Sequence, residues 1–182
     1  MSRRQVLALL LCCLAGMGAQ APLARGATPT EFQVKAVFVF NFVTFVQWPP
    51  EQAAPSSPFT ICLLGADDLA DHLEDAVRGE QVDGRPLQVR RYRSVEEVGD
   101  CRILYIGRAL QGQLGRVLAR LDGRRTLTVS DAVDAARSGV MIQLANEKNR
   151  VRLLINVDAA QAAGLTISSN LLRPAEIVRT SR

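Results

Sequence analysis

Apolar positions along this chain fall into short blocks separated by glycine, proline and polar turns, and the period of each block predicts its element. Residues 31–48 read as a helix stopped by Pro49-Pro50, despite several β-branched valines that weaken helix propensity. At about 100° per residue, Gln33, Asn41, Thr44 and Gln47 share one arc with Val37 and Phe40, while the other faces are nearly all apolar. Phe38, Phe42, Phe45 and Trp48 are therefore expected in the core. Phe40 and Val37, beside polar neighbours, are candidate contacts for a partner.

Downstream the blocks alternate. Residues 59–64 predict a strand broken by Gly65, and 67–78 a helix opened by Asp67 and Asp68. Residues 82–85 make a turn, 87–92 a strand, 94–98 a short helical turn, and 102–106 a strand ended by Gly107. A helix over 111–121 and a strand over 126–129 follow, the latter leading into Ser130-Asp131. Two strands, 140–144 and 151–155, then flank Asn146-Glu147-Lys148-Asn149 as a hairpin. Residues 157–163 are helical up to Gly164, and Ser168-Ser169-Asn170 can cap a last helical stretch reaching about Ile177. Strands alternating with helices predict a three-layer α/β/α domain with a mostly parallel mixed sheet and a late antiparallel hairpin at one edge.

Composition narrows the reading. The chain has 182 residues, is 48% hydrophobic and 22% charged, which suits one globular domain and excludes a disordered or multispan chain. Aromatics make up only 5%, and no segment interleaves basic and aromatic residues, so a nucleic-acid platform is not expected.

The first residues do not read as part of the fold. Arg3 and Arg4 precede a mostly apolar stretch, Gln5 to Ala19, and small residues follow to Ala27. This is the layout of a secretory signal peptide over about residues 1–27, leaving 28–182 as the mature domain. The apolar run is shorter than the ~20 residues of a membrane anchor. Cutting after Ala21 removes two arginines, so 20 basic residues face 18 acidic ones and the net charge falls from +4 to +2. The basic balance thus belongs partly to the leader. Cleavage also removes Cys12 and Cys13, which would form a lipid-attachment site only if Leu11 were a small residue. Cys62 and Cys101 remain, in a chain bound for an oxidising compartment. One disulfide is the expected state, with two buried thiols as the alternative.

The chemistry-bearing motifs are sparse. Strand ends of an open parallel sheet tend to hold ligands, and here they carry Gly65, Gly107-Arg108 and Ser130-Asp131. These residues could line one small-ligand crevice. A Ser-His-Asp relay would need His72, the only histidine, as base for Ser130, and nothing in the sequence links them. No nucleotide loop, dinucleotide fingerprint or metal-ligand spacing is present. No catalytic residue, metal or cofactor is expected.

Several segments in a fixed order resemble a known family. They are Lys35-Ala36 through Asn41-Phe42 to Phe45, Trp48 and Pro49; residues 59–65 with Cys62; Cys101-Arg102-Ile103-Leu104-Tyr105-Ile106-Gly107; Thr128-Val129-Ser130-Asp131; and Ile167-Ser168-Ser169-Asn170-Leu171-Leu172-Arg173-Pro174-Ala175-Glu176-Ile177-Val178. Together they look like the YfiR family of small periplasmic proteins from Gram-negative bacteria. The resemblance implies a regulator rather than an enzyme. The namesake binds the periplasmic sensor domain of an inner-membrane diguanylate cyclase and holds it inactive, and an OmpA-like outer-membrane lipoprotein can sequester it. Cyclic di-GMP and biofilm formation are the outputs, and the namesake is a dimer.

Cys62 and Cys101 match one family disulfide, but no cysteine follows Cys101, so the namesake's second bridge has no counterpart. Pro174 stands where an apolar, helix-compatible residue is usual. Candidate partner contacts are Phe40, Leu171, Leu172 and Arg173, since aromatic and arginine anchors tend to dominate such interfaces. The competing expectation is a periplasmic small-ligand module, using the strand-end crevice, that feeds a sensor kinase or transporter.

Overall fold

A computed structural model describes residues 29–49, 57–148 and 150–180. The predicted leader and most of the proline-rich linker after Trp48 lie outside these residues.

Helix α1, Glu31–Phe45, starts at a capping box. The Thr30 hydroxyl accepts from Gln33 N (3.2 Å), and the Gln33 amide oxygen accepts from Thr30 N (2.8 Å). The helix ends earlier than its apolar run predicts. Val46 is extended, with φ −114 and ψ 136, and opens strand β1, Val46–Gln47. That pair bonds antiparallel to β9, Thr166–Ile167. Valine tolerates extended backbone well, and the tertiary pairing supersedes the last helical turn.

Eight strands form the main sheet. β2 (Phe59–Leu64), β4 (Arg85–Tyr92), β5 (Ile103–Ile106), β6 (Leu127–Ser130) and β7 (Ile142–Glu147) run parallel. β8 (Arg150–Asn156) returns antiparallel to β7, β10 (Glu176–Val178) lies parallel to β8, and β3 (Gln81–Val82) pairs antiparallel with β4. The order is β10-β8-β7-β6-β5-β2-β4-β3.

Two expectations are corrected here. The hairpin is not at the edge, because β10 covers β8. And the last segment is not helical to Ile177: α5 is only Ser169–Leu172. Pro174 cannot donate an i→i−4 bond, and the chain instead gains sheet hydrogen bonds as β10.

Strand alternation sorts the core into two layers. On one face Ile61, Leu63, Ile103, Tyr105, Leu127 and Val129 pack under α1 and α2 (Asp67–Val77). The short α4 (Val157–Ala162) and α5 extend that layer. On the other face Cys62, Leu64, Leu104 and Ile106 pack under α3 (Leu114–Arg120) and the turns around Val95 and Ala135. The expected three-layer α/β/α architecture is the observed one. Burying one large apolar side chain contributes about 1.5–3 kcal/mol, against about 0–1 kcal/mol for an exposed ion pair such as Arg78–Asp75. The two apolar layers therefore decide the fold, and surface charge does not.

Cys62 and Cys101 form a disulfide across the second layer, with Cα atoms 5.8 Å apart and a sequence separation of 39. It clamps β2 to the segment entering β5. On the chain-entropy model, closing a loop of this length stabilises by about 4 kcal/mol. Cys62→Ser/Cys101→Ser should therefore unfold at a clearly lower urea concentration than the wild type. Coincident unfolding curves would contradict this account of the bridge.

Candidate functional site at the strand ends

The sheet reverses its direction of growth at β2. β4 follows on one side and β5 on the other, so the topological switch point lies between β2 and β5. In open sheets this is where a crevice is expected. Here backbone closes it. Gly107 N donates to Leu64 O at 2.9 Å, and a Cβ on Gly107 would come within 1.9 Å of Gly65 O. Gly65 itself turns with φ +63, a conformation glycine adopts without strain.

Beside this junction, between the ends of β5 and β6, charged side chains fill the remaining space. Lys35 of α1 is 1% exposed, and its Nζ lies 2.7 Å from Asp131 Oδ2, on a side chain only 4% exposed. Glu31, one turn earlier on α1, pairs with the same ammonium. Arg108 N donates to Asp131 Oδ1 at 2.8 Å, while its guanidinium stands 3.4 Å from Asp131 and 3.5 Å from Glu31. Asn146 on β7 donates to Glu31 at 2.6 Å, and the Lys35 ammonium sits 5.5 Å from the centre of the Phe32 ring.

Beneath them the buried Tyr105 hydroxyl bonds Asp131. Burial raises the Tyr105 phenol far above its ordinary range, and the Asp131 charge adds to the rise. Lys35 holds the Glu31 carboxyl below its ordinary value, outweighing the burial that would raise it. Asn146 adds to the lowering. Two cations and two carboxylates leave the cluster neutral, which makes burial of Lys35 and Asp131 tolerable.

The five crevice residues expected from the sequence thus meet in one place, with Gly107 against Gly65 and Arg108 against Asp131. Ser130 is fully buried. Its hydroxyl donates to Ile106 O at 2.7 Å and accepts from Ala132 N at 3.1 Å, so it ties β5 to β6. His72 lies half-buried on α2, outside the cluster. The sequence reading missed Lys35, Glu31, Tyr105 and Asn146 as members. The available signal was Lys35 itself, the only cation of α1, four residues after Glu31 on a helix that is apolar on most faces.

The expected partner contacts separate. Val37 is 53% exposed, and Phe40 is half-buried against the first core layer. Arg173 is exposed and Leu172 half-buried. Leu171 is withdrawn from the candidates. It is 6% exposed, because the α5 turn directs it into the core, and the same segment exposes Ile177 to 53% instead. The two regions are neighbours, since Ser168 N donates to Phe45 O at 2.8 Å.

A doubly wound α/β domain whose first helix is ion-paired to its strand ends is the class this geometry defines. The chain belongs to the YfiR/HmsC-like family, which matches it over residues 32–176. Among solved structures it is similar to the ligand-free, open form of a substrate-binding protein with adhesive properties from Clostridium difficile, at a TM-score of 0.49 and 13% identity. That match covers 67% of this chain and 55% of the other, so the chain spans little more than half the length of that protein. Among the described residues no helix is long and apolar enough to cross a membrane.

Breaking a buried pair costs more than deleting it whole. Asp131→Leu alone should lower stability by about 3–5 kcal/mol, and Lys35→Met/Asp131→Leu by much less. Denaturant unfolding of the two variants measures the difference, and equal losses would refute the pairing. The Glu31 carboxyl titrates lower when folded, so its contribution is complete above its ordinary value of 4.5 and disappears as pH falls through the lowered folded value. The melting temperatures of wild type and Glu31→Gln should therefore differ at neutral pH and converge in acid.

Proposed function

We propose that this protein is a periplasmic regulator that binds the periplasmic sensor domain of an inner-membrane diguanylate cyclase and holds the enzyme inactive, lowering cyclic di-GMP and biofilm formation. It acts by binding and performs no catalysis. The observation that carries this reading is family membership over residues 32–176. An OmpA-like outer-membrane lipoprotein is the second partner in this reading, the working form is a homodimer, and a leader over about residues 1–27 delivers the chain to the periplasm.

The site geometry supports the reading physically. The ion cluster ties α1 to the strand ends of the sheet. The helix then presents Gln33, Val37 and Thr44 on its exposed side, with Phe40 beside them. A surface fixed before binding loses less conformational entropy on association. Repression requires tighter binding to the inactive cyclase than to the active one. A shift from 1:99 to 99:1 takes a differential affinity of about 10⁴-fold.

Crosslinking in the native periplasm followed by affinity capture tests the proposal. The expected product is an inner-membrane protein carrying a cyclase output domain. Val37→Glu and Arg173→Glu, both at exposed positions, should each weaken capture about tenfold or more while leaving the melting temperature unchanged. Recovery of a transporter or sensor kinase in place of a cyclase would overturn it.

A further inference from the structure

The strand that ends the sheet beside β4 is much shorter than β4 itself. β3 has two residues and β4 eight. Val82 lies opposite Arg85 and Gln81 opposite Pro86, and Leu87 N donates to Glu80 O at 3.0 Å. Before Glu80 the chain belongs to the turn out of α2. From Gln88 to Tyr92 the strand pairs with β2 alone, so over that stretch β4 is the edge of the sheet. Backbone direction alternates along a strand. Leu87 N points outward to Glu80, so Val89 and Arg91 also turn their N–H and C=O groups outward, while Gln88, Arg90 and Tyr92 turn theirs toward β2. The next outward group, Arg93 N, donates to Glu97 Oε2 at 3.2 Å. Glu80 and Glu97 thus bound an open edge, and among the described residues no strand pairs with Val89 and Arg91 on that side.

Arg90, Arg91 and Arg93 are exposed along this edge, and charge is a common guard of an open strand. The three are not equivalent. Val89 and Arg91 share the face of Ile61 and Leu63 in the β2–β4 register, beside α2, and Arg91 is neutralised by Glu74 at 2.8 Å and Asp71 at 2.6 Å. On the other face Arg90 lies beside Cys62. Gln88, with its amide oxygen turned toward that guanidinium, accepts from it at 3.0 and 3.1 Å, which orients the charge without cancelling it. Among the described residues no carboxylate lies within ion-pair distance of Arg90 or Arg93.

We infer that the outer edge of β4 from Leu87 to Arg93 docks an extended acidic segment of a partner protein, which adds to the sheet as a further strand. Backbone bonds to Val89 and Arg91 supply the affinity, as in other cases of strand addition. Carboxylates at alternate positions of the segment, on the face of Arg90, supply the specificity, because opposite charges across neighbouring strands attract and like charges repel. The same arginines turn away a basic segment. A second copy of this chain also fits poorly. Setting Val89 opposite Arg91 of the other copy, so that all the outward groups pair, brings Arg90 against Arg90. β4 lies toward the opposite end of the sheet from β10, and the inference does not rest on the cyclase reading.

Fluorescence anisotropy of the mature, oxidised protein with short labelled peptides tests the inference. The probes are a peptide alternating Glu and Thr, its Lys-for-Glu counterpart, and the Glu peptide methylated on its backbone nitrogens. Saturable binding of the Glu peptide is expected, weakened about tenfold or more in Arg90→Glu, with amide hydrogen exchange slowed at Val89 and Arg91. Arg90 is exposed, so the variant should keep the wild-type melting temperature. Val89→Pro removes one outward N–H while sparing the bonds to β2, and should weaken binding as well. The inference is overturned if the Glu peptide does not saturate, if the methylated or Lys peptide binds equally well, if Arg90→Glu binds as the wild type does, or if self-association of the chain protects the edge amides instead.

Discussion

The contact between Lys35 and Asp131 organises this molecule. Helix α1 is apolar on most of its circumference, and apolar contact is non-directional, so hydrophobic burial alone leaves its rotation and axial position weakly determined. An ammonium 1% exposed has no such freedom. It must reach a carboxylate, and Asp131 at the end of β6 is held in turn by Arg108 N and Tyr105. Replacing a buried pair by apolar side chains is often neutral or stabilising. We therefore read this cluster as fixing geometry rather than adding stability. It sets the angular position of the exposed strip containing Val37, and it ties α1 to the ends of β5 and β6.

The same requirement explains why the strand-end glycines carry no ligand-binding signature. Gly107 is needed because β2 and β5 bring their exit loops into backbone contact, leaving no room for a Cβ beside Gly65 O. In a nucleotide site such glycines admit a phosphate; here they admit another loop. The chemistry of a motif depends on what occupies the space next to it, and beside Gly107 the occupant is the Gly65 loop.

Much of the fold was legible in the sequence because its signals are local. The strand at Phe59–Leu64 was readable from an apolar run ended by Gly65, and the turn at Gly164 from its glycine, which has φ +75. What escaped was non-local. The last turn expected of α1 became β1 because a strand more than a hundred residues later pairs with it. The predicted final helix became β10 because β8 offered a parallel partner. The strand-end residues do come together, but no local pattern reveals that Lys35 reaches across to Asp131.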